Sequence, residues 1–255
     1  MITSQVSRDV LTLTLNSPRN RHALSHELVS TLTRALRQES HSRSARLVVL
    51  TATGTTFCSG ADLATPPGAD YPRAMQSLVE EILHLPAPVI ARVNGHVRGG
   101  GVALVAACDI ALAVPEATFA FNEVRLGVVA AYNAVLSRRV LHARPLQELM
   151  LTGRVFAAAE AVRVGLLTGQ TDSGSMDSTI ERIADDLHEC DPTAVAQTKS
   201  RLLELGDLSR AAGYELVADR CASQFLDAPR AQAAIARHQP GATHPREGAD
   251  PSARH

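Results

Sequence analysis

The sequence predicts an α/β domain that gives way to a helical region, and three observations carry the prediction. Strand-like and helix-like stretches alternate through residues 10–121. From residue 131 onward every candidate element is a helix. Two apolar runs end in glycine-containing turns, Phe57-Cys58-Ser59-Gly60-Ala61-Asp62-Leu63 and Val93-Asn94-Gly95-His96-Val97-Arg98-Gly99-Gly100-Gly101. Alternation of this kind belongs to α/β architectures, and helices that follow it belong to a region packed on that domain or on a neighbour.

Taken in order, Val10–Leu15 alternates apolar residues with Thr and reads as a strand, broken at Asn16-Ser17-Pro18. Leu24, Leu28, Leu32 and Leu36 recur at helical spacing, with Ser25 as the capping residue. Ala45–Thr51 is a short apolar run, the pattern of a strand buried on both faces. Met75–Leu85 reads as a helix stopped by Pro86, Pro88–Val93 as the next strand, and Val102–Cys108 as a buried helix. Asp109–Val114 and Thr118–Phe121 are strand pieces separated by Pro115-Glu116. The helix candidates that follow are Ala131–Val140, Pro145–Leu151, Ala157–Val164, Asp177–Cys190, Thr193–Leu205, Leu208–Leu226 and Pro229–Arg237. The organisation expected is a core over residues 1–190, a helical region over 191–239, and a disordered Pro/Gly/Ala/His-rich tail over 240–255. No internal sequence repeat is evident.

Composition narrows the function classes. The 255 residues are 45% hydrophobic but only 3% aromatic, with no Trp, so Ala, Val and Leu must fill the core. A formal net charge of −1 gives no electrostatic basis for binding nucleic acid or an anionic membrane. Cys58, Cys108, Cys190 and Cys221 are far apart and form no CxxC pair, which predicts reduced thiols and neither a zinc site nor a disulfide framework. Residues 1–9 are polar, without the apolar stretch of a signal peptide, and no run reaches the roughly 20 apolar residues of a membrane span. A soluble cytoplasmic protein is expected.

The two glycine turns present bare backbone N–H groups, one from each. Two such groups aimed at one oxygen form an oxyanion hole, which stabilises an enolate or a tetrahedral intermediate. The pair resembles the oxyanion-hole segments of the enoyl-CoA hydratase/isomerase (crotonase) superfamily. Further segments carry the resemblance over about residues 10–235: Pro18-Arg19-Asn20-Arg21-His22-Ala23-Leu24, with His22 where Asn is usual; Cys108-Asp109-Ile110-Ala111-Leu112-Ala113; Phe119-Ala120-Phe121-Asn122-Glu123-Val124-Arg125-Leu126-Gly127; and Leu151-Thr152-Gly153 followed by Ala157-Ala158-Ala159-Glu160-Ala161 and Gly165-Leu166. The resemblance implies a spiral of repeated ββα units whose C-terminal helices assemble trimers or dimers of trimers. It implies an acyl-coenzyme A ligand, no separate cofactor, and oxyanion donors from the N–H groups of Ala61 and Gly100. Arg21, Ala23 and the turn Ala61-Asp62-Leu63 would lie along the nucleotide and pantetheine.

Hydrating a 2-enoyl-CoA takes a base to deprotonate water and a proton for the α-carbon. Typical hydratases of the superfamily carry two glutamates for this. Glu123 matches the second, and Ala103, which cannot move a proton, stands at the first. The segment usually reading G-x-x-P-x-x-G-G is Gly127-Val128-Val129-Ala130-Ala131-Tyr132-Asn133-Ala134. Tyr132 and Asn133 either line the acyl pocket or fill the space the glycines left. Glu148 is a weaker candidate for the missing partner, since its helix reads as ordinary packing. Asp62 is expected to fix its turn and Asp109 to be structural. His22, His96 and His142 share no metal-ligand spacing, so no metal is expected. Cys58 lies beside the first turn without a base to activate it. The resulting expectation is an enoyl-CoA hydratase-like lyase. The alternatives are a one-glutamate Δ3,Δ2-enoyl-CoA isomerase, an acyl-CoA decarboxylase, and, from a different class, a non-catalytic acyl-CoA-binding homologue.

Overall fold

A computed structural model describes residues 2–65, 68–206, 208, 212 and 228–238. The chain divides into two compact units, Met1–Leu203 and Glu204–His255. In the second, the described residues include a helix at Pro229–His238. The expected helix over Leu208–Leu226 lies almost wholly outside the described residues, and the expected tail lies entirely outside them.

The first unit begins with a hairpin that the sequence reading missed. β1 (Ile2–Ser7) pairs antiparallel with β2 (Val10–Leu15), in register from Ile2↔Leu15 to Ser7↔Val10. Both turn residues, Arg8 and Asp9, take positive φ, as a two-residue hairpin turn requires. β1 was hidden because it is a mostly exposed edge strand, so its side chains are polar and show no apolar alternation.

Three strand–strand–helix passages then follow, and they fix where the site lies. β3 (Leu47–Ala52), β5 (Val89–Val93) and β7 (Ile110–Ala113) join a large sheet in the order β1-β2-β3-β5-β7-β10, parallel from β2 onward, with β10 at Gly169–Gln170. Each of the three is followed by a short strand that leaves for a second sheet: β4 (Thr56–Cys58), β6 (His96–Arg98) and β8 (Thr118–Ala120). These short strands lie side by side and parallel, in register at Cys58↔Val97 and Arg98↔Ala120, with β9 (Phe156–Ala157) antiparallel at the edge. The inner strands β3, β5 and β7 are buried on both faces, which explains their nearly unbroken apolar sequences.

The helices close the faces. α1 (His26–Ser42) starts where Ser25 accepts a hydrogen bond from the Leu28 N–H, and it buries Leu28, Leu32 and Leu36 as the periodicity predicts. α2 (Tyr71–His84) packs against α1 and buries Met75, Leu78, Val79 and Ile82. α3 (Gly100–Ala107) is apolar all round and buried along nearly its whole length. α4 (Ala131–Ser137) packs on α3 and ends earlier than the sequence reading placed it. α5 (Ala143–Thr152), α6 (Ala158–Arg163), α7 (Ser173–Glu189) and α8 (Pro192–Leu205) follow. α7 starts four residues before the expected Asp177, because Asp172 caps it by accepting from the Ser175 N–H. Asp109 is structural as expected: it accepts from the Val89 N–H and from Lys199 Nζ at 2.6 Å, tying α8 to the start of β5.

Candidate functional site

Because β4, β6 and β8 are adjacent and parallel, the segments after their C-terminal ends emerge at one edge of the sheet. Those segments are Ser59-Gly60-Ala61, Gly99-Gly100-Gly101 and Phe121-Asn122-Glu123. Both sequence-predicted glycine turns and the sequence-predicted carboxylate thus meet in space, though they are spread over more than sixty residues of chain.

Glycine is required here by close approach. Gly60 has φ +87°, and a Cβ on it would lie 2.9 Å from the Arg98 carbonyl oxygen and 3.5 Å from the Gly100 nitrogen. A Cβ on Gly101 would meet the Cβ of Cys58 at 2.8 Å. One on Gly99, φ +47°, would lie 3.6 Å from Glu123 Oε1. The three segments are therefore in van der Waals contact through their glycines.

Both candidate backbone N–H groups fall outside the regular pairing of their own elements. Leu24 pairs in parallel with Ala61 and donates its N–H to the Gly60 carbonyl at 2.7 Å; in that register the N–H of Ala61 points away from Leu24. Gly100 opens α3, so its N–H has no acceptor within the helix and sits at the positive end of the helix dipole. Ala61 and Gly100 are both partly exposed, whereas Gly60, Gly99 and Gly101 are buried.

The segment before α1 runs beside the first turn. Arg21 accepts from the Ser59 N–H through its carbonyl, and His22 anchors the segment through ring nitrogens 2.9 Å from the Thr56 carbonyl and 3.2 Å from Thr53 Oγ1. Burial lowers the His22 pKa, which keeps the ring neutral and structural. Ala23 is buried, while the Arg21 side chain and Leu63 are exposed beside the turn. Asp62 fixes the turn by accepting from the Ala64 N–H.

Glu123 sits on a single-turn helix, Asn122–Leu126, directly after β8. Its Oε1 accepts a short hydrogen bond from Asn133 Nδ2, and its Oε2 is buried with no protein partner. Asn133 is 1% exposed. Its side chain lies against the carboxylate. The side chain of Tyr132 lies outside the described set. Ala103, also fully buried, lies in the first turn of α3.

The other candidates are placed elsewhere or serve structure. Glu148 forms a surface network with Arg154 and Glu160, and the Arg154 guanidinium holds both carboxyls below their usual range. Cys58 is buried beneath the turns, and burial pushes its thiol up to about 12, so it is protonated at neutral pH and cannot act as a nucleophile. His96 bonds Thr118 Oγ1. Among the described residues no group of three or more metal-ligating side chains converges, and no helix is long and apolar enough to cross a membrane. Sequence reasoning raised Asn133 without assigning it a part; the available signal was a polar residue in an otherwise apolar helix four positions before Ser137, a spacing that puts both on one face.

Residues 5–226 match the family model described as enoyl-CoA hydratase/isomerase. A Thermus thermophilus protein with the provisional name enoyl-CoA hydratase is 33% identical over 213 residues, 80% of this chain and 84% of that protein. The rat mitochondrial enoyl-CoA hydratase domain-containing protein 3 is 30% identical over 207 residues, 78% of this chain and 69% of that protein. Among solved structures, an enoyl-CoA hydratase from Mycobacterium smegmatis superposes with a TM-score of 0.85 at 28% identity, covering 92% of this chain and 95% of that one. Human enoyl-CoA hydratase domain-containing protein 3 also gives 0.85, at 25% identity over 92% and 96%.

Proposed function

The chain belongs to the enoyl-CoA hydratase/isomerase family, and from that premise we propose that it is an enoyl-CoA hydratase adding water to a 2-enoyl-CoA. The observation that carries the reading is the meeting of the Ser59-Gly60-Ala61 and Gly99-Gly100-Gly101 segments with Glu123 at one end of three parallel strands. The N–H pair takes the charge that develops on the thioester oxygen as the enolate forms. Glu123 takes a proton from water and delivers one to the α-carbon. Arg21, Ala23, Asp62 and Leu63 flank the first turn, where the nucleotide and pantetheine of the thioester would lie.

A second reading, Δ3,Δ2-enoyl-CoA isomerase, is favoured by Ala103, because one carboxyl group suffices to carry a proton between two carbons. Absorbance at the conjugated-thioester band separates the two. Loss of signal from crotonyl-CoA is expected of a hydratase; a gain from a 3-enoyl-CoA with crotonyl-CoA untouched would replace that reading with the isomerase. Binding of both esters with neither change would indicate a binding protein.

The proposal includes a cytoplasmic location, no cofactor beyond the coenzyme A of the substrate, and assembly into trimers or dimers of trimers. Assembly is supported by apolar side chains exposed around the segment that carries Glu123: Leu126, Val128 and Val129, the last 82% exposed, and Leu151 on α5. That helix end is tied to the segment by a hydrogen bond from Arg125 Nε to the Thr152 carbonyl. Light scattering is expected to give the mass of three or six chains; a monomer would refute the assembly.

A further inference from the structure

The buried polar atoms around Glu123 suggest how a hydratase could work with Ala103 in place of a second glutamate. Among the described residues, Glu123 Oε2, Asn133 Oδ1 and Ser137 Oγ are buried with no hydrogen-bond partner from the protein. Asn133 and Ser137 are one turn apart on the same face of α4, and α4 packs on α3, which carries Ala103. A carboxylate only accepts, so the Asn133 amide must present Nδ2 to Glu123 Oε1, and this leaves Oδ1 as an acceptor. The hydrogen-bonded pair thus holds two unmet acceptors, Glu123 Oε2 and Asn133 Oδ1, within a few bond lengths of each other. Leaving two buried acceptors unmet is costly, and a molecule with two O–H donors would satisfy both.

We propose that Asn133 is a positioning residue that fixes Glu123 through Oε1 and, with Glu123 Oε2, holds the reacting water between two acceptors. The inference rests on the hydratase reading. In the step, the water oxygen bonds to the β-carbon while the C=C π pair moves to the α-carbon and the thioester oxygen, where the Ala61 and Gly100 N–H groups hold it. One water proton passes to Glu123 Oε2 and is then returned to the α-carbon, so the elements of water are added and Glu123 is regenerated. The second proton, donated to Asn133 Oδ1, stays on the new hydroxyl. Asn133 transfers no proton, which is why an amide can stand in for a carboxylate in this place.

The test is a double-mutant cycle with Asn133→Leu and Ala103→Glu, reading crotonyl-CoA hydration, with circular dichroism melting to verify folding. Leu keeps the branched outline of Asn and removes its polar atoms, though it is bulkier, which is why folding is checked alongside. Asn133→Leu is expected to lower kcat by about 10- to 100-fold with KM within about threefold, the effect of one hydrogen bond to a reacting group. In the Ala103→Glu background the same change is expected to cost less than about threefold, because a carboxylate at the position of the first family glutamate, on the helix that packs on α4, would supply the second acceptor. Asn133→Asp keeps the size but puts two carboxylates in contact, so they must share a proton. Its kcat against pH is expected to gain an ionisation that the native protein lacks, a readout that also serves if Asn133→Leu does not fold.

Native-like kcat in folded Asn133→Leu would overturn the proposal and leave the hydratase reading standing. So would equal losses in both backgrounds, or an unchanged pH profile in Asn133→Asp. Absence of hydration by the native protein would instead sink the hydratase reading and the proposal with it.

Discussion

Glu123→Gln is expected to lower kcat for 2-enoyl-CoA hydration by about 10²–10⁴ while KM changes little, the loss typical of removing a general acid–base group. The geometry makes this a clean substitution. Gln matches Glu in shape, and its amide oxygen can take the place of Oε1 and still accept from Asn133 Nδ2. The amide nitrogen then occupies the place of Oε2, the buried and unpartnered atom nearest to proton chemistry. An acceptor able to carry a proton becomes a donor that cannot. Packing, the link to α4 and the single-turn helix at Asn122–Leu126 are kept, so the melting temperature should stay close to native. Ester affinity should be kept as well, because neither oxyanion N–H is touched. Steady-state kinetics with crotonyl-CoA and a binding titration check both halves. Activity retained in Glu123→Gln would remove the carboxylate from the mechanism and return Ala103's helix face to scrutiny. Lost affinity would mean that Glu123 holds substrate more than it moves protons.

Much of this site was legible in the sequence because it is made of backbone. Gly60, Gly99 and Gly101 are each demanded by a contact shorter than a Cβ permits, or by a positive φ, and such demands leave a mark in residue type. The inner strands β3 and β5 of the large sheet were legible for a different reason: buried on both faces, they carry nearly continuous apolar runs. What escaped notice has the opposite character. β1 is an exposed edge strand held by its hairpin partner, and its sequence ITSQVS shows no alternation. The short strands β4 and β6 are three residues each, too few for any period to register, yet with β8, which was read as the strand piece Thr118–Phe121, they align the candidate segments. The threefold strand–strand–helix passage leaves no repeat in the sequence, since each passage satisfies the same topology with different side chains and a helix of different length. Asn133 was visible as a departure from the glycine-rich pattern of the family. Its contact with Glu123 depends on how α4 turns relative to the segment after β8, which ten residues of loop and helix decide and no local pattern encodes.

Gly60→Ala should reduce turnover by about 10²–10³, the loss seen when one oxyanion donor is misplaced. Two independent effects act at this position. With φ at +87°, any side chain strains the backbone, at a cost of roughly 1–2 kcal/mol. The new Cβ would also lie 2.9 Å from the Arg98 carbonyl oxygen, which belongs to β6 and cannot move without shifting the strand. Relief requires the Ser59-Gly60-Ala61 turn to back away from Gly99-Gly100, and that motion separates the two N–H groups that must converge on one oxygen. Gly54→Ala isolates the first effect: Gly54 has φ +71°, yet a Cβ there meets nothing within 4 Å, and the residue lies in the turn between β3 and β4, at the other end of β4 from the oxyanion turn. The two variants should lose similar stability from the backbone term, with Gly60→Ala losing somewhat more. Only Gly60→Ala should lose turnover. Melting temperatures and kcat measured side by side decide the matter. If both variants keep native kcat, the N–H groups of Ala61 and Gly100 do not act as a pair; if both lose it alike, the loss reflects general destabilisation. Turnover lost in Gly60→Ala alone would tie the rate to the spacing between two turns, which is the property that the three glycine contacts of the site exist to hold.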